Sequence, residues 1–189
     1  LLFLFSISVI SLSLTGYGSL LSANEGKNLF LDIFLGFIIV SLIVTLIHFF
    51  IKIDPIISIL ILIFGLILLY RNNYLDYSAL FKKKNLIYLL IILFFLPMYI
   101  SQKYHEDFGY YHLPYALALI EKKIIFDFAN IDIPFVYNSL WLNIYPSFFL
   151  WDNNFDYLTL PSFILYVIFI FFLINENLIE NDWKLSKLF

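Results

Sequence analysis

The sequence predicts an all-α, polytopic transmembrane protein of about five spans, with a long outer loop carrying short juxtamembrane helices. Three observations predict it. First, 62% of the 189 residues are hydrophobic and only 13% are charged, against about 45–50% and about 25% in an ordinary soluble domain. Too little polar surface remains to cover a water-soluble body. Second, the apolar residues fall in runs near the roughly 20 residues that cross a hydrocarbon core. Third, one long stretch, His105 to Trp141, interrupts that pattern and holds two of the three histidines and five of the fourteen acidic residues.

The first expected span runs from Leu1 to about Leu21, with serines able to bond back to the helix and Gly16-Tyr17-Gly18 near its end. Leu1 to Leu14 could instead serve as the core of a signal peptide, with Leu21-Ser22-Ala23 as a weak cleavage-like site. It lacks the basic region that normally precedes one, so a transmembrane helix is the preferred reading. After a polar link, Asn28 is an N-cap candidate for a second span, Leu29 to about Phe50. Asp54-Pro55 forms a cap-and-first-turn pair for the third, Pro55 to about Tyr70. A loop ending in Lys82-Lys83-Lys84 leads to the fourth, about Leu86 to Ile100, with Pro97 near its far end. Thr159 and Pro161 open the fifth, which runs to about Ile174 and a charged tail. The chain thus divides into 1–100 (four spans), 101–157 (outer segment) and 158–189 (fifth span and tail). It opens inside an apolar run and its only methionine is Met98, so it is expected to be a piece of a longer protein.

Orientation follows from the basic residues. Alternating loops place seven on one side (Lys27, Arg71, Lys82, Lys83, Lys84, Lys184, Lys187) and four on the other (Lys52, Lys103, Lys122, Lys123), accounting for all 11. The richer side is read as cytoplasmic, which turns 101–157 toward the periplasm or exterior of a bacterial inner membrane. The absence of cysteine excludes disulfides, thiolate catalysis and cysteine metal sites. With Arg71 as the single arginine, a nucleic-acid face is not expected.

The outer segment is where chemistry is expected. Leu113 to Lys123 reads as a short helix with Leu113, Ala116, Leu117 and Ile120 on one face, and Pro114 confined to its first turn. Asn138-Ser139 is a cap candidate for a second helix, Leu140 to about Leu150, interrupted by Pro146. Glu106-Asp107 then lies just before the first helix, at the membrane–water boundary. A carboxylate there can take a proton from a sugar hydroxyl as general base, or hold a divalent cation against a lipid phosphate leaving group. His112, five residues on, could orient the carboxylate or bond a phosphate oxygen. The simpler reading of the doublet is a solvated loop that caps the next helix. His105, Tyr111, Asn130, Asn138, Lys122 and Lys123 are candidates for binding substrate, the lysines through lipid phosphate. Their simpler roles are interface anchoring, turns, capping and helix-end solvation. Asp32 and His48, at opposite ends of the second span, are read as structural, with water nearby. Gly36 and Gly65 are read as close-packing positions.

Asp107-Phe108-Gly109-Tyr110-Tyr111-His112-Leu113, with Ala129-Asn130-Ile131 and Tyr137-Asn138-Ser139 downstream, resembles an uncharacterised family of bacterial multi-pass membrane proteins. Its members carry a D-x-G-x-Y-H-L segment, an A-N-[LI] element and an aromatic-N-S element. That family is similar in layout to the C-type glycosyltransferases, polytopic enzymes that use a polyprenyl-phosphate sugar and keep an essential acid in an outer loop. The resemblance implies that Asp107 is the essential acid and Glu106 its neighbour, with a lipid-linked sugar and a glycan acceptor as partners. It covers roughly Asp107 to Ser139. One departure stands out: in most C-type enzymes the acidic loop follows the first helix, whereas about four spans precede it here. Two other classes are carried beside it. A polymerase or ligase of lipid-linked polysaccharide would draw on basic outer residues, and a transporter or non-catalytic membrane subunit would draw on charges deep in several helices.

Overall fold

The computed structural model of the chain describes residues 2–22, 29–72, 83–100, 110, 113–124, 143–148 and 160–179. All regular structure among them is helical: α1 (Leu2–Gly18), α2 (Leu29–His48), α3 (Pro55–Arg71), α4 (Lys83–Ile100), α5 (Leu113–Glu121), a 3₁₀ turn (Tyr145–Phe148) and α6 (Leu160–Ile179). Helices therefore occupy all five of the long apolar stretches. Of these, α2 is the one that is long and apolar enough to cross a membrane by length and composition; α1, α3 and α6 contribute shorter apolar helical stretches.

Local chemistry explains the boundaries. Asp54 is extended at φ −92° and ψ 170°, and its carboxylate accepts from Ile57 N at 2.9 Å, with Pro55 following it in the first turn of α3. The hydroxyls of α1 fold back as expected, Ser8 onto the Leu4 carbonyl at 2.9 Å and Thr15 onto Ser11 at 2.8 Å. This satisfies them within an apolar helix. Helix α4 starts at Lys83 and continues through Pro97 to Ile100.

Helix α1 is the hub, packed against α2 and α3. Its contacts run through missing side chains. A Cβ at Gly16 would overlap the Gly65 carbonyl of α3. One at Gly18 would overlap the Asp32 backbone, and one at Gly36 the Leu14 carbonyl. The close approach lets Tyr17, buried, donate its hydroxyl to the Ile61 carbonyl at 2.8 Å. Asn72, just past α3, donates to Ser19 Oγ, just past α1, at 2.8 Å. These pairings make α1 antiparallel to α2 and parallel to α3.

Helix α6 closes the bundle across α2 and α4. Phe30 at the start of α2 meets Phe172 late in α6 (4.7 Å between ring centroids), while Tyr99 at the end of α4 meets Phe163 early in α6 (4.7 Å). Helix α6 is therefore antiparallel to both. Two ends result: one gathers Ser19, Phe30, Asp32, Asn72 and Phe172, the other His48, Asp54, Tyr99 and Phe163.

Apolar side chains lie both inside the bundle and on its outer faces. Ile10, Leu14, Ile33 and Val44 are among the buried core residues, and Ser6, Ser13, Thr15, Ser19, Asp32, Ser41, His48 and Ser58 are buried among them. Exposed positions form apolar stripes at helical spacing: Leu31, Phe34, Ile38, Leu42 and Leu46 on α2, and Ile56, Leu60, Ile63 and Ile67 on α3. Asp32 is fully buried against Gly18, not at a watered helix end as its first-turn position implied.

Candidate functional site

Glu106, Asp107, His112, His105, Tyr111, Asn130 and Asn138 lie outside the described residues, as do Asn28 and Ser139. What is described is the frame that flanks them, and it begins one residue after His112. Helix α5 starts at Leu113 with Pro114 in its first turn, where a missing N–H costs nothing. Its buried residues are Tyr115, Ala116 and Leu119. Of the expected face, Leu113 and Ile120 pack against Ala116, as does Tyr145 from the 3₁₀ turn. Tyr115 and Leu119 form a second buried face, which packs with Ile124. Burial pushes the Tyr115 phenol above its usual range, so it stays a neutral hydroxyl at physiological pH.

The docking point is His48. The ring is completely buried and its Nε2 lies 2.9 Å from the Lys122 carbonyl. A carbonyl only accepts, so Nε2 carries the hydrogen in this contact. In return, Ile124 N donates to the His48 carbonyl at 3.0 Å. Each bond satisfies a carbonyl left over at a helix C-terminus, and each is worth roughly 1 kcal/mol net. The end of α2 and the end of α5 therefore cap one another. Lys122 enters this through its backbone; its side chain and that of Lys123 are exposed, so both ammonium groups are free to meet a phosphate or solvent.

A second tie lies one turn back on α2. Asn143 Nδ2 donates to Thr45 Oγ1 at 3.4 Å, a long bond, while the Thr45 hydroxyl itself donates to the Ser41 carbonyl at 2.7 Å. Asn143, Ile144, Ser147 and Phe148 are all buried. Phe148 reaches Phe37 near the middle of α2 (6.1 Å), and the turn packs chiefly against α3, so this short segment lies within the bundle. Of the helix expected from Leu140 to about Leu150 with an interruption at Pro146, Asn143 is helical and Tyr145–Phe148 form a 3₁₀ turn; 140–142 and 149–150 lie outside the described residues. Pro146 cannot donate a helical bond, and Ser147 closes the turn instead, both its N (3.0 Å) and its Oγ (2.5 Å) donating to the Ile144 carbonyl.

Sequence reasoning read His48 as structural without its partner, and did not find Thr45 or Asn143. A histidine ending an apolar helix looks interfacial, and its partner stands 74 positions away. Among the described residues, no cluster of three or more histidines and acids could hold a metal ion.

A family model described as a domain of unknown function, DUF8201, matches residues 1–189. No curated protein and no solved structure matches the chain.

Proposed function

This chain belongs, over its whole length, to DUF8201, a domain of unknown function, and from the resemblance of its outer segment we propose that it is a multi-pass membrane glycosyltransferase of the C-type layout. It uses a lipid-linked sugar donor to build an envelope glycan. Its five long helices span a bacterial inner membrane, and residues 101–157 face the periplasm or exterior.

The observation that carries the membrane part is the outward apolar stripe on successive helices around a core that is itself largely apolar. Only a third of the best α2 window is buried, whereas the core helix of a soluble protein is mostly buried. Lipid replaces water as the partner of those stripes. The alternation of helix directions supports several crossings. So does the gathering of the α2 C-terminus, the start of α3, α5 and residues 143–144 at one end, since these are the segments that alternating loops assign to the outer side.

The chemistry rests on the resemblance around Asp107. Asp107 acts as general base on the acceptor hydroxyl or as ligand to a divalent cation, with Glu106 beside it. His112 orients the carboxylate or a donor phosphate oxygen, and Lys122 and Lys123 stand ready for lipid phosphate. Removing a general base slows reaction about 10²–10⁴-fold. Cells carrying Asp107→Asn at unchanged membrane abundance are expected to lose one glycan class in mass spectra of the envelope. Spectra identical to those of unmodified cells would refute the assignment.

A further inference from the structure

We infer that His48 is a positioning residue that fixes the outer segment against the bundle, by donating from Nε2 to the Lys122 carbonyl. The inference rests on the functional reading above for its catalytic consequence, but not for its geometry.

The argument starts from chain connectivity. Helix α5 has nine residues and is rigid over that length, at about 1.5 Å per residue. Its first residue, Leu113, follows His112 directly, and Asp107 lies six positions before it. Whatever holds the far end of α5 therefore sets where its near end, Leu113, stands relative to α2. His48 and its own carbonyl hold that far end, through Lys122 and Ile124. Thr45, on the same face of α2 one turn earlier, bonds Asn143. Helix α2 thus grips the outer segment on both sides of residues 125–142.

The contact is specific in a way that packing is not. The ring is fully buried, and its Nδ1 has no hydrogen-bond partner. A histidine placed only to fill space could be replaced by an apolar residue with gain, since a buried unpartnered nitrogen is costly. The polar group is used at Nε2 alone. Glutamine places an amide N–H at a comparable distance from Cα, whereas asparagine is too short to reach the Lys122 carbonyl.

The chain contains no cysteine, so nitroxide labels can be placed on Phe50→Cys and Glu121→Cys, both exposed positions. Pulsed electron resonance in lipid nanodiscs then reads the separation of the two helix ends in the full chain. His48→Gln should retain the native distance distribution, while His48→Asn and His48→Leu should broaden and shift it. Envelope glycan output should follow, falling on the order of tenfold to a hundredfold with Asn or Leu, as a misplacement near 1 Å can cause, and returning with Gln. Size-exclusion profiles identify any variant that fails to fold. If Gln behaves like Leu, or if none of the three changes the distances, the Nε2 latch is wrong. If Asn and Leu shift the distances while glycans stay native, the latch stands and the catalytic reading of the outer segment falls.

Discussion

Gly16→Ala is expected to remove the folded protein from the membrane. The added methyl would overlap the Gly65 carbonyl oxygen, and Gly65 C and Leu69 N stand 2.9 Å from the same point. All three are backbone atoms, so no side chain can turn aside, and α1 must separate from α3. Overpacking typically costs about 1–3 kcal/mol where neighbours can shift, and backbone on backbone belongs at or above that upper limit. Separation would also stretch the Tyr17–Ile61 and Asn72–Ser19 hydrogen bonds, removing roughly 1 kcal/mol each. Ser8→Ala, which deletes only an exposed back-bond on the same helix, is the matched control. Fluorescence-detected size exclusion and thermal midpoints in detergent should show the glycine variant aggregated or absent and the serine variant near native.

Ile38→Arg is expected to block insertion of α2. Ile38 stands midway along the helix and is 44% exposed. On a water-facing surface such a change would fall within about ±0.5 kcal/mol and improve solubility. At the centre of a membrane span, arginine costs about 2.5–3.5 kcal/mol and isoleucine is mildly favourable. The swap then lowers the insertion equilibrium constant of α2 by a factor of roughly a hundred to a thousand. Glycosylation-tag reporters of α2 insertion measure it directly. Normal expression with increased solubility would mean that the α2 stripe faces water.

Much of the scaffold was legible in the sequence because its signals are local. Long apolar runs marked five helices, Asp54-Pro55 marked the start of α3, and hydroxyls such as Ser8 and Thr15 were legible as bonding back along α1. Gly36 and Gly65 were legible as packing positions. Their partners, the Leu14 backbone for one and Ser13 and Tyr17 for the other, were not, since the pairing depends on how three helices cross. The outer segment was read least well. Pro146 signalled an interruption, yet nothing local says that residues 143–148 pack inside the bundle beside Phe37. The Leu113–Ala116–Ile120 face of α5 was legible, and its second buried face, Tyr115 and Leu119, was not, because apolar side chains surround most of that helix. His48 was legible as structural, but its partner, a carbonyl 74 positions away, was not. Asp107 and its neighbours were named from their chemistry and a family pattern, and the described structure contributes the frame that grips the segment around them.

The most direct test of the account is the side of the membrane on which that frame stands. Single cysteines placed at Lys52, Glu121 and Arg71, all exposed, can be challenged in intact cells with a membrane-impermeant maleimide. The account predicts that positions 52 and 121 are labelled from outside and that 71 reacts only after the membrane is opened. Labelling of 71 from outside with 52 and 121 protected would put the acidic segment in the cytoplasm, on the wrong face for an outer-leaflet polyprenyl-phosphate donor, and would contradict the account at its root.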